Sequence, residues 1–261
     1  MIDKRSLGRT GIEVARIGIS SSFGAKAEVF RAALDRGCNY FNWGTFIKGR
    51  NTAFKDFVRE ISREGRRQEL VIGLLSYSHL ASLGDHFLKS ALKQLDTDYI
   101  DGLILGYYPK RPPQRVLDWA IRVKQQGLVR AIGLTTHNRA VVVPLMAEGI
   151  IDYFHIRYNA VHRGAEQDIF PHLGEQPPGL VSFTATSWGQ LLKQKKMPAA
   201  TEPPSAGDCY RFVLSRDEID VCMMGVRNLG MFNENMEEIG KGPMTEQELM
   251  RMRAIGDHIY G

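Results

Sequence analysis

Residues 98–109 constrain the fold of this chain more than any other stretch. They read Asp-Tyr-Ile-Asp-Gly-Leu-Ile-Leu-Gly-Tyr-Tyr-Pro, and residues 99–105 have the short, apolar, β-rich character of a strand covered on both faces. Helical patterns precede this stretch at 80–95 and follow it at 116–126. A buried parallel strand is therefore predicted, and in an α/β barrel the residues just past such a strand lie on the catalytic face. Those residues are Gly106, Tyr107 and Tyr108.

Seven other segments share this short apolar character, and helical patterns separate most of them. The predicted strands lie at 15–20, 39–43, 70–75, 129–135, 151–158, 180–184 and 219–224, and the other predicted helices at 25–36, 52–64, 140–148, 231–239 and 245–259. This alternation predicts an α/β fold, a (β/α)8 TIM barrel in one domain over residues 1–261, and 261 residues is an ordinary length for that fold.

Two segments add to the plain barrel pattern. Residues 5–14, with a turn from Gly8 to Gly11, predict an N-terminal β-hairpin. Residues 197–208 are rich in proline and predict a loop that replaces part of the helix after the seventh strand. A doubly wound sheet is the alternative architecture, but no predicted strand is followed by a GxGxxG sequence.

Composition bounds the class of partner. The formal net charge of +5 is mild and its basic residues are spread along the chain, so no nucleic-acid partner is expected. The three cysteines have no metal-binding or disulfide spacing, and no metal site is expected. No apolar run approaches the length of a membrane span or a signal peptide. We expect a cytoplasmic protein with a small-molecule substrate and no membrane association, and a partner protein is left open.

Several collinear segments carry a family resemblance. Residues 5–14 read Arg-Ser-Leu-Gly-Arg-Thr-Gly-Ile-Glu-Val, residues 92–101 read Leu-Lys-Gln-Leu-Asp-Thr-Asp-Tyr-Ile-Asp, and residues 127–134 read Gly-Leu-Val-Arg-Ala-Ile-Gly-Leu. Together with residues 34–44, 158–159 and 225–235, they resemble the aldo-keto reductase family over nearly the whole chain. The resemblance implies a (β/α)8 barrel, NADP(H) as cofactor and oxidoreduction of a carbonyl or alcohol substrate.

The family's catalytic positions are substituted. The resemblance implies an Asp, a Tyr, a Lys and a His at the strand ends, with the Tyr passing a proton to the carbonyl oxygen. The matching positions hold Asn42, Ile47 (or Phe46, one residue earlier), Leu75 and Gly106. Without a cation nothing stabilises a tyrosinate, and general acid help is worth about 10²–10⁴ in rate. An unmodified family mechanism is therefore not expected, although Asn42 stays a candidate catalytic residue.

The positions that would hold the cofactor are retained in part, and those at the adenosine end better than those at the reacting end. The resemblance implies that Thr135 and Thr136 meet the nicotinamide amide, that His155 replaces a Gln, and that Phe183 stacks on the nicotinamide. It also implies that Arg227 meets a 2′-phosphate. The remaining cofactor candidates are Ser21, Gly225, Glu234 and Asn235.

Other polar residues near the strand ends could replace the lost catalytic groups. Tyr107 could supply a phenol, and His137 and His155 could act as acid or base near neutral pH. Arg157 follows His155 by two residues and so faces the same way on a strand, and His162 extends this cluster. A buried arginine needs a partner, for which the alternatives are a substrate group, a cofactor phosphate and Glu166. Arg157 and His162 are the candidate substrate-binding residues.

Residues 184–189, Thr-Ala-Thr-Ser-Trp-Gly, follow the seventh strand. Barrels often place phosphate-binding loops there, so the stretch either cradles the cofactor diphosphate or is a plain hydroxyl-rich turn.

Three functions remain open from the sequence. The favoured one is an NADP(H)-dependent oxidoreductase with a non-standard proton donor, because the polar cluster at the strand ends is rich. The second is a catalytically inactive barrel that binds a dinucleotide or another ligand. The third is a non-redox lyase or isomerase in which Arg157 and His162 hold an anionic substrate. The substrate itself is not predicted.

Overall fold

Short apolar segments form the strands of the structure, a computed structural model that describes residues 3–44 and 52–260. The strands are β1 (Lys4–Ser6), β2 (Glu13–Ala15), β3 (Ile17–Ser20), β4 (Tyr40–Gly44), β5 (Val71–Ser76), β6 (Ile100–Leu105), β7 (Val129–Thr136), β8 (Tyr153–Arg157), β9 (Gly179–Phe183) and β10 (Val221–Met224). Strands β3 to β10 pair in parallel, each with the next, and β10 pairs with β3 to close the barrel. The antiparallel pair β1–β2 forms the N-terminal hairpin. The predicted (β/α)8 barrel and hairpin are confirmed.

The helices lie between the strands and after the last one. They are α1 (Ala27–Asp35), α2 (Thr52–Arg63), α3 (Ala81–Leu95), α4 (Gln114–Gln125), α5 (Val142–Glu148), α6 (Ala165–Asp168), α7 (Ala206–Leu214), α8 (Leu229–Gly240) and α9 (Glu246–Tyr260). Each longer helix buries an apolar stripe against the sheet; α2, for example, buries Phe54, Phe57, Val58 and Ile61 at helical spacing. Within residues 3–44 and 52–260, no helix is long and apolar enough to cross a membrane.

The prediction of a loop over residues 197–208 is wrong for residues 206–208, which form the first part of α7. Ser205 caps this helix: its Oγ accepts the Asp208 amide at 2.9 Å, and the Asp208 carboxylate accepts the Ser205 amide at 3.0 Å. This reciprocal capping box satisfies two backbone donors at the helix start. The Ser-x-x-Asp spacing was visible in the sequence, but the prolines before it masked the signal.

Two tyrosines fill the interior of the barrel. Tyr40 and Tyr153 are fully buried and belong to the apolar cluster enclosed by the strands. Their rings take the space that side chains at nearby glycines would need: an ideal Cβ on Gly73 would lie 3.0 Å from the Tyr40 hydroxyl, and one on Gly102 would overlap the Tyr153 hydroxyl. The hairpin closes the amino-terminal end beneath them by packing Leu7, Ile12 and Val14 into the same cluster.

A buried ion-pair cluster joins the barrel strands at the amino-terminal end. The fully buried Asp101 accepts hydrogen bonds from Arg67 Nη2 at 2.9 Å, from Arg130 Nη1 at 2.8 Å and from the Ile72 amide at 3.0 Å. The carboxylate therefore links β5, β6 and β7, which is a structural role.

Substituting Asp101→Asn leaves the two guanidinium groups without their counter-charge. Removing one partner of a buried ion pair costs about 3–5 kcal/mol, and the retained amide oxygen reduces this, so we expect a loss of about 3 kcal/mol in the free energy of unfolding. Urea unfolding measures it, with the exposed Asp98→Asn as control. Equal urea midpoints for the two variants would contradict the stabilising role of Asp101.

Candidate functional site

The carboxyl ends of the barrel strands form an open mouth, and the alternation of each strand decides which side chains face it. On β8, Tyr153 and His155 point into the barrel, so Arg157 at the end of the same strand takes the next inward position. Arg157 is in register with Phe183 on β9, and Thr135 on β7 is in register with His155. The residues predicted at the strand ends are thus brought to one face.

The positions that resemble the family's catalytic positions differ in character. Asn42 is only 8% exposed, and its Oδ1 has no hydrogen-bond partner among the described residues. Leu75 packs into the interior cluster, so the position that resembles the family's Lys is apolar. Gly106 directly follows β6. Ile47 and Phe46 lie outside the described residues.

Tyr77 occupies space beside Gly106, and the sequence analysis missed it. An ideal Cβ on Gly106 would lie 3.2 Å from Cε1 of Tyr77 and 2.9 Å from Cγ2 of Thr135. A longer side chain at position 106 would therefore meet the tyrosine ring, which is 43% exposed. Partial burial raises the pKa of Tyr77 above its ordinary value, so the phenol is protonated at neutral pH. Two clues were present: Tyr77 has the same parity as Leu75 along the strand, and the Gly at 106 leaves room.

Three aromatic side chains, Tyr107, His137 and Phe183, form one side of the mouth and are called the aromatic wall below. The ring centroids of Tyr107 and His137 are 5.0 Å apart, and those of His137 and Phe183 are 5.2 Å apart, both with edge-to-face geometry. Desolvation, and secondarily the charge of Arg157, lower the pKa of His137, so this imidazole is neutral at neutral pH. The adjacent Tyr108 turns away from the wall, is buried, and stacks on His79 at 4.4 Å.

His155 lies below the mouth, inside the barrel. It is 2% exposed, and its Nε2 is 2.8 Å from the hydroxyl of Tyr40. Burial lowers the pKa of His155 to about 3, so the ring is neutral throughout the physiological range. A proton donor has to reach the mouth, and His155 lies below it. His155 is therefore part of the floor beneath the site.

The cluster predicted around Arg157 is assembled in part. His162 follows the strand, and desolvation first, then the charges of Arg157 and Arg139, lower its pKa. Glu166, one of the expected partners of Arg157, is engaged elsewhere: it accepts from Tyr158 Oη at 2.7 Å and from Arg253 Nη2 at 2.8 Å. Glu166 is therefore excluded as the partner of Arg157.

The turn after β9 has a strained backbone. Thr184, Ser187 and Trp188 have φ of +60°, +49° and +57°, and Gly189 follows at +77°. Left-handed backbone costs non-glycine residues about 1–2 kcal/mol each. The amide of Asn159 holds the start of the turn by donating to the Thr184 carbonyl at 2.7 Å. Backbone strain of this kind concentrates at ligand-binding segments.

The segment after β10 presents the other candidate cofactor residues. Asn228 caps α8 by accepting the Met231 amide at 2.9 Å. Arg227, just before the cap, is exposed and has no hydrogen bond or ion pair within the described parts of the chain. Glu234 is exposed on α8, whereas the neighbouring Asn235 is 7% exposed.

Three further cofactor candidates take different environments. An ideal Cβ on Gly225 would lie 2.7 Å from the ring of Phe23, which covers this glycine. Ser21 is buried in the turn after β3. Thr136 is buried and accepts the Asn138 amide at 3.0 Å, so its hydroxyl belongs to a local turn, while Thr135 is the half-buried threonine at the mouth.

Comparisons with known proteins agree with this geometry. A sequence model of the aldo/keto reductase family matches residues 15–208. The chain belongs to the aldo/keto reductase family. The chain is 22% identical to L-galactose dehydrogenase of Arabidopsis thaliana, with 97% of this chain and 94% of the relative covered.

Solved structures give the same result for the fold. The holo and apo forms of aldo-keto reductase AKR11C1 from Bacillus halodurans superpose with TM-scores of 0.81 and 0.80 at 18% and 19% identity, covering 98% of this chain and 96% of each of theirs. The resemblance drawn from the sequence is confirmed, and membership implies an NAD(P)-dependent oxidoreductase.

The depressed pKa of His155 predicts how stability depends on pH. An unfolded chain binds a proton at this residue below about pH 6.5, whereas the native state does so only near pH 3, so stability falls as the pH drops between these values. At about 1.4 kcal/mol per pH unit, the residue accounts for a loss of about 2–3 kcal/mol between pH 7 and pH 4.5.

The variant His155→Gln keeps a polar partner for the Tyr40 hydroxyl and removes the titration. We therefore expect its free energy of unfolding, measured with urea, to fall less than that of the parent protein over this interval. Parallel pH curves for the two proteins would contradict a neutral, buried His155.

Proposed function

We propose that the protein is an NADP(H)-dependent oxidoreductase in which a phenol outside the family's usual catalytic set donates the proton. The observation that carries the cofactor assignment is the strained turn of Thr184–Gly189 at the barrel mouth. Three non-glycine residues of this turn hold left-handed backbone, which costs stability, and such strain concentrates at ligand-binding segments.

Other residues fit a bound dinucleotide. Arg227 offers a guanidinium that has no partner among the described residues, beside the capped start of α8, where a phosphate is favoured by the helix dipole. Phe183 offers a half-buried ring at the mouth, and the Oδ1 atom of Asn42 is a buried acceptor that lacks a partner in the described chain. When bound, NADPH supplies a hydride to the carbonyl carbon of the substrate.

The proton has to come from the chain, and Tyr77 is the donor we propose. Its ring borders Gly106, the position that resembles the family's catalytic His, and burial keeps its phenol protonated. The Tyr77 hydroxyl would donate its proton to the carbonyl oxygen as negative charge develops there. Leu75, at the position that resembles the family's Lys, is apolar and brings no cation to the interior cluster beside this site.

This arrangement favours reduction over alcohol oxidation. Oxidation needs the phenolate as base, and burial raises the pKa of Tyr77, which disfavours the phenolate at neutral pH. A catalytically inactive binding barrel is the second candidate, and the apolar Leu75 is the observation that favours it. Turnover experiments separate the two.

Tyr77→Phe removes the phenol and keeps the ring against Gly106. We expect the rate of carbonyl reduction to fall about 10²–10⁴-fold at saturating substrate, since general acid catalysis is lost, with NADPH affinity unchanged. Stopped-flow absorbance at 340 nm measures the rate. Tyr107→Phe is the matched control and should change it less than about threefold. A large loss in Tyr107→Phe with Tyr77→Phe unaffected would move the donor to Tyr107.

Arg227→Gln tests the cofactor end of the site. A charge-assisted hydrogen bond contributes about 1.5–3 kcal/mol, so we expect NADPH affinity to fall about 10–100-fold while NADH affinity stays the same. Titration calorimetry of each nucleotide checks this, with the exposed Arg115→Gln as a control for net charge. Equal losses of affinity for NADPH and NADH would show that Arg227 does not contact the 2′-phosphate. If the parent protein bound neither nucleotide, the proposed function would be rejected.

A further inference from the structure

Arg157 is a cation at the barrel mouth that no acidic side chain neutralises. The chain contains 29 Asp and Glu residues, and all of them lie in the described parts of the structure. None lies within the 4.0 Å ion-pair distance of Arg157, and within those parts the guanidinium has no hydrogen bond either. Glu166, the acidic residue expected beside it, is held by Tyr158 and Arg253.

The surroundings of Arg157 add to its positive potential. The side chain is half-buried in an inward position of β8, in register with Phe183. Burial first, and then the charge of Arg157, lower the pKa of both His137 and His162, so these two imidazoles are neutral at neutral pH. Arg139 is a further positive charge acting on His162, and it is itself paired with Asp168. A half-buried charge with no compensating partner is unfavourable, and an anionic ligand removes that cost.

We propose that Arg157 binds the carboxylate of the substrate, which makes the substrates carbonyl compounds with a carboxylate group and the products the corresponding hydroxy acids. A guanidinium matches the two oxygens of a carboxylate with two parallel N–H donors. The aromatic wall of Tyr107, His137 and Phe183 stands beside Arg157 and suits a planar apolar body attached to that carboxylate. This inference rests on the proposed function and specifies its substrate class.

A cofactor phosphate is the other source of negative charge, and the geometry disfavours it. The candidate phosphate-binding segments, the 184–189 turn and Arg227, follow β9 and β10. Arg157 lies on β8, one inward position beyond His155 and in register with Phe183 of the aromatic wall, and the family resemblance implies that Thr135 and Phe183 meet the nicotinamide end of the cofactor. The experiment below has an arm for each source.

A pair of aldehydes that differ only in charge tests the proposal. We expect kcat/KM with NADPH for 4-carboxybenzaldehyde to exceed that for the neutral 4-formylbenzamide by about 10–100-fold in the parent protein, as for a charge-assisted contact. Arg157→Gln should abolish this preference and leave the rate with 4-formylbenzamide within about threefold. Arg115→Gln, with the same loss of charge at an exposed position, should keep the preference.

A binding measurement without turnover separates this inference from the proposed function. Calorimetry with 4-(hydroxymethyl)benzoate, the alcohol product, should show binding that Arg157→Gln weakens at least tenfold, whereas NADPH affinity should not change. Carboxylate binding of this kind in a protein that binds no dinucleotide would support Arg157 and reject the oxidoreductase.

Two results would overturn the assignment of Arg157. One is turnover of both aldehydes at equal kcat/KM, which would leave the oxidoreductase in place. The other is a loss of NADPH affinity in Arg157→Gln with carboxylate binding intact, which would make Arg157 a phosphate ligand.

Discussion

The hydrogen bond between the Tyr40 hydroxyl and His155 Nε2, at 2.8 Å inside the closed barrel, is the interaction on which the site depends. It is possible because Tyr40 and Tyr153 extend over glycines on neighbouring strands, where no side chain competes for the space. The interior is thereby filled up to the level of His155. Arg157 is one inward position further along β8, so its side chain lies in the mouth of the barrel. The packing of the core thus determines which charge meets a ligand.

Above that floor, Leu75 is apolar and Gly106 has no side chain, at the two positions that resemble those of the family's Lys and His. The space at Gly106 is bordered by Tyr77, and a neutral wall of Tyr107, His137 and Phe183 stands beside the cation of Arg157. A phenol that stays protonated is suited to donating a proton, and an unpaired guanidinium is suited to holding an anion. Both features favour reduction of an acidic carbonyl compound.

The sequence predicted the barrel well, because alternating strands and helices have periodicities that residue order alone records. The capped helix α7 was missed since prolines precede it, and a proline-rich stretch is typical of a loop. At the site, the shared direction of His155 and Arg157 followed from alternation along a strand, the place of His137 from the end of a predicted strand, and that of Phe183 from the family resemblance. The contact of Tyr77 with Gly106, the burial of His155 and the engagement of Glu166 with Arg253 depend on neighbours distant in sequence. No local pattern encodes those contacts.

The most direct test of the account is whether hydride chemistry takes place in this barrel at all. The protein would be incubated with NADPH that carries deuterium at the transferable positions and with 4-carboxybenzaldehyde, and the alcohol product analysed by mass spectrometry. The account predicts a product one mass unit heavier, with the label on the carbon that carried the carbonyl. Bound NADPH with no alcohol above a protein-free control would contradict it and identify the chain as a binding protein.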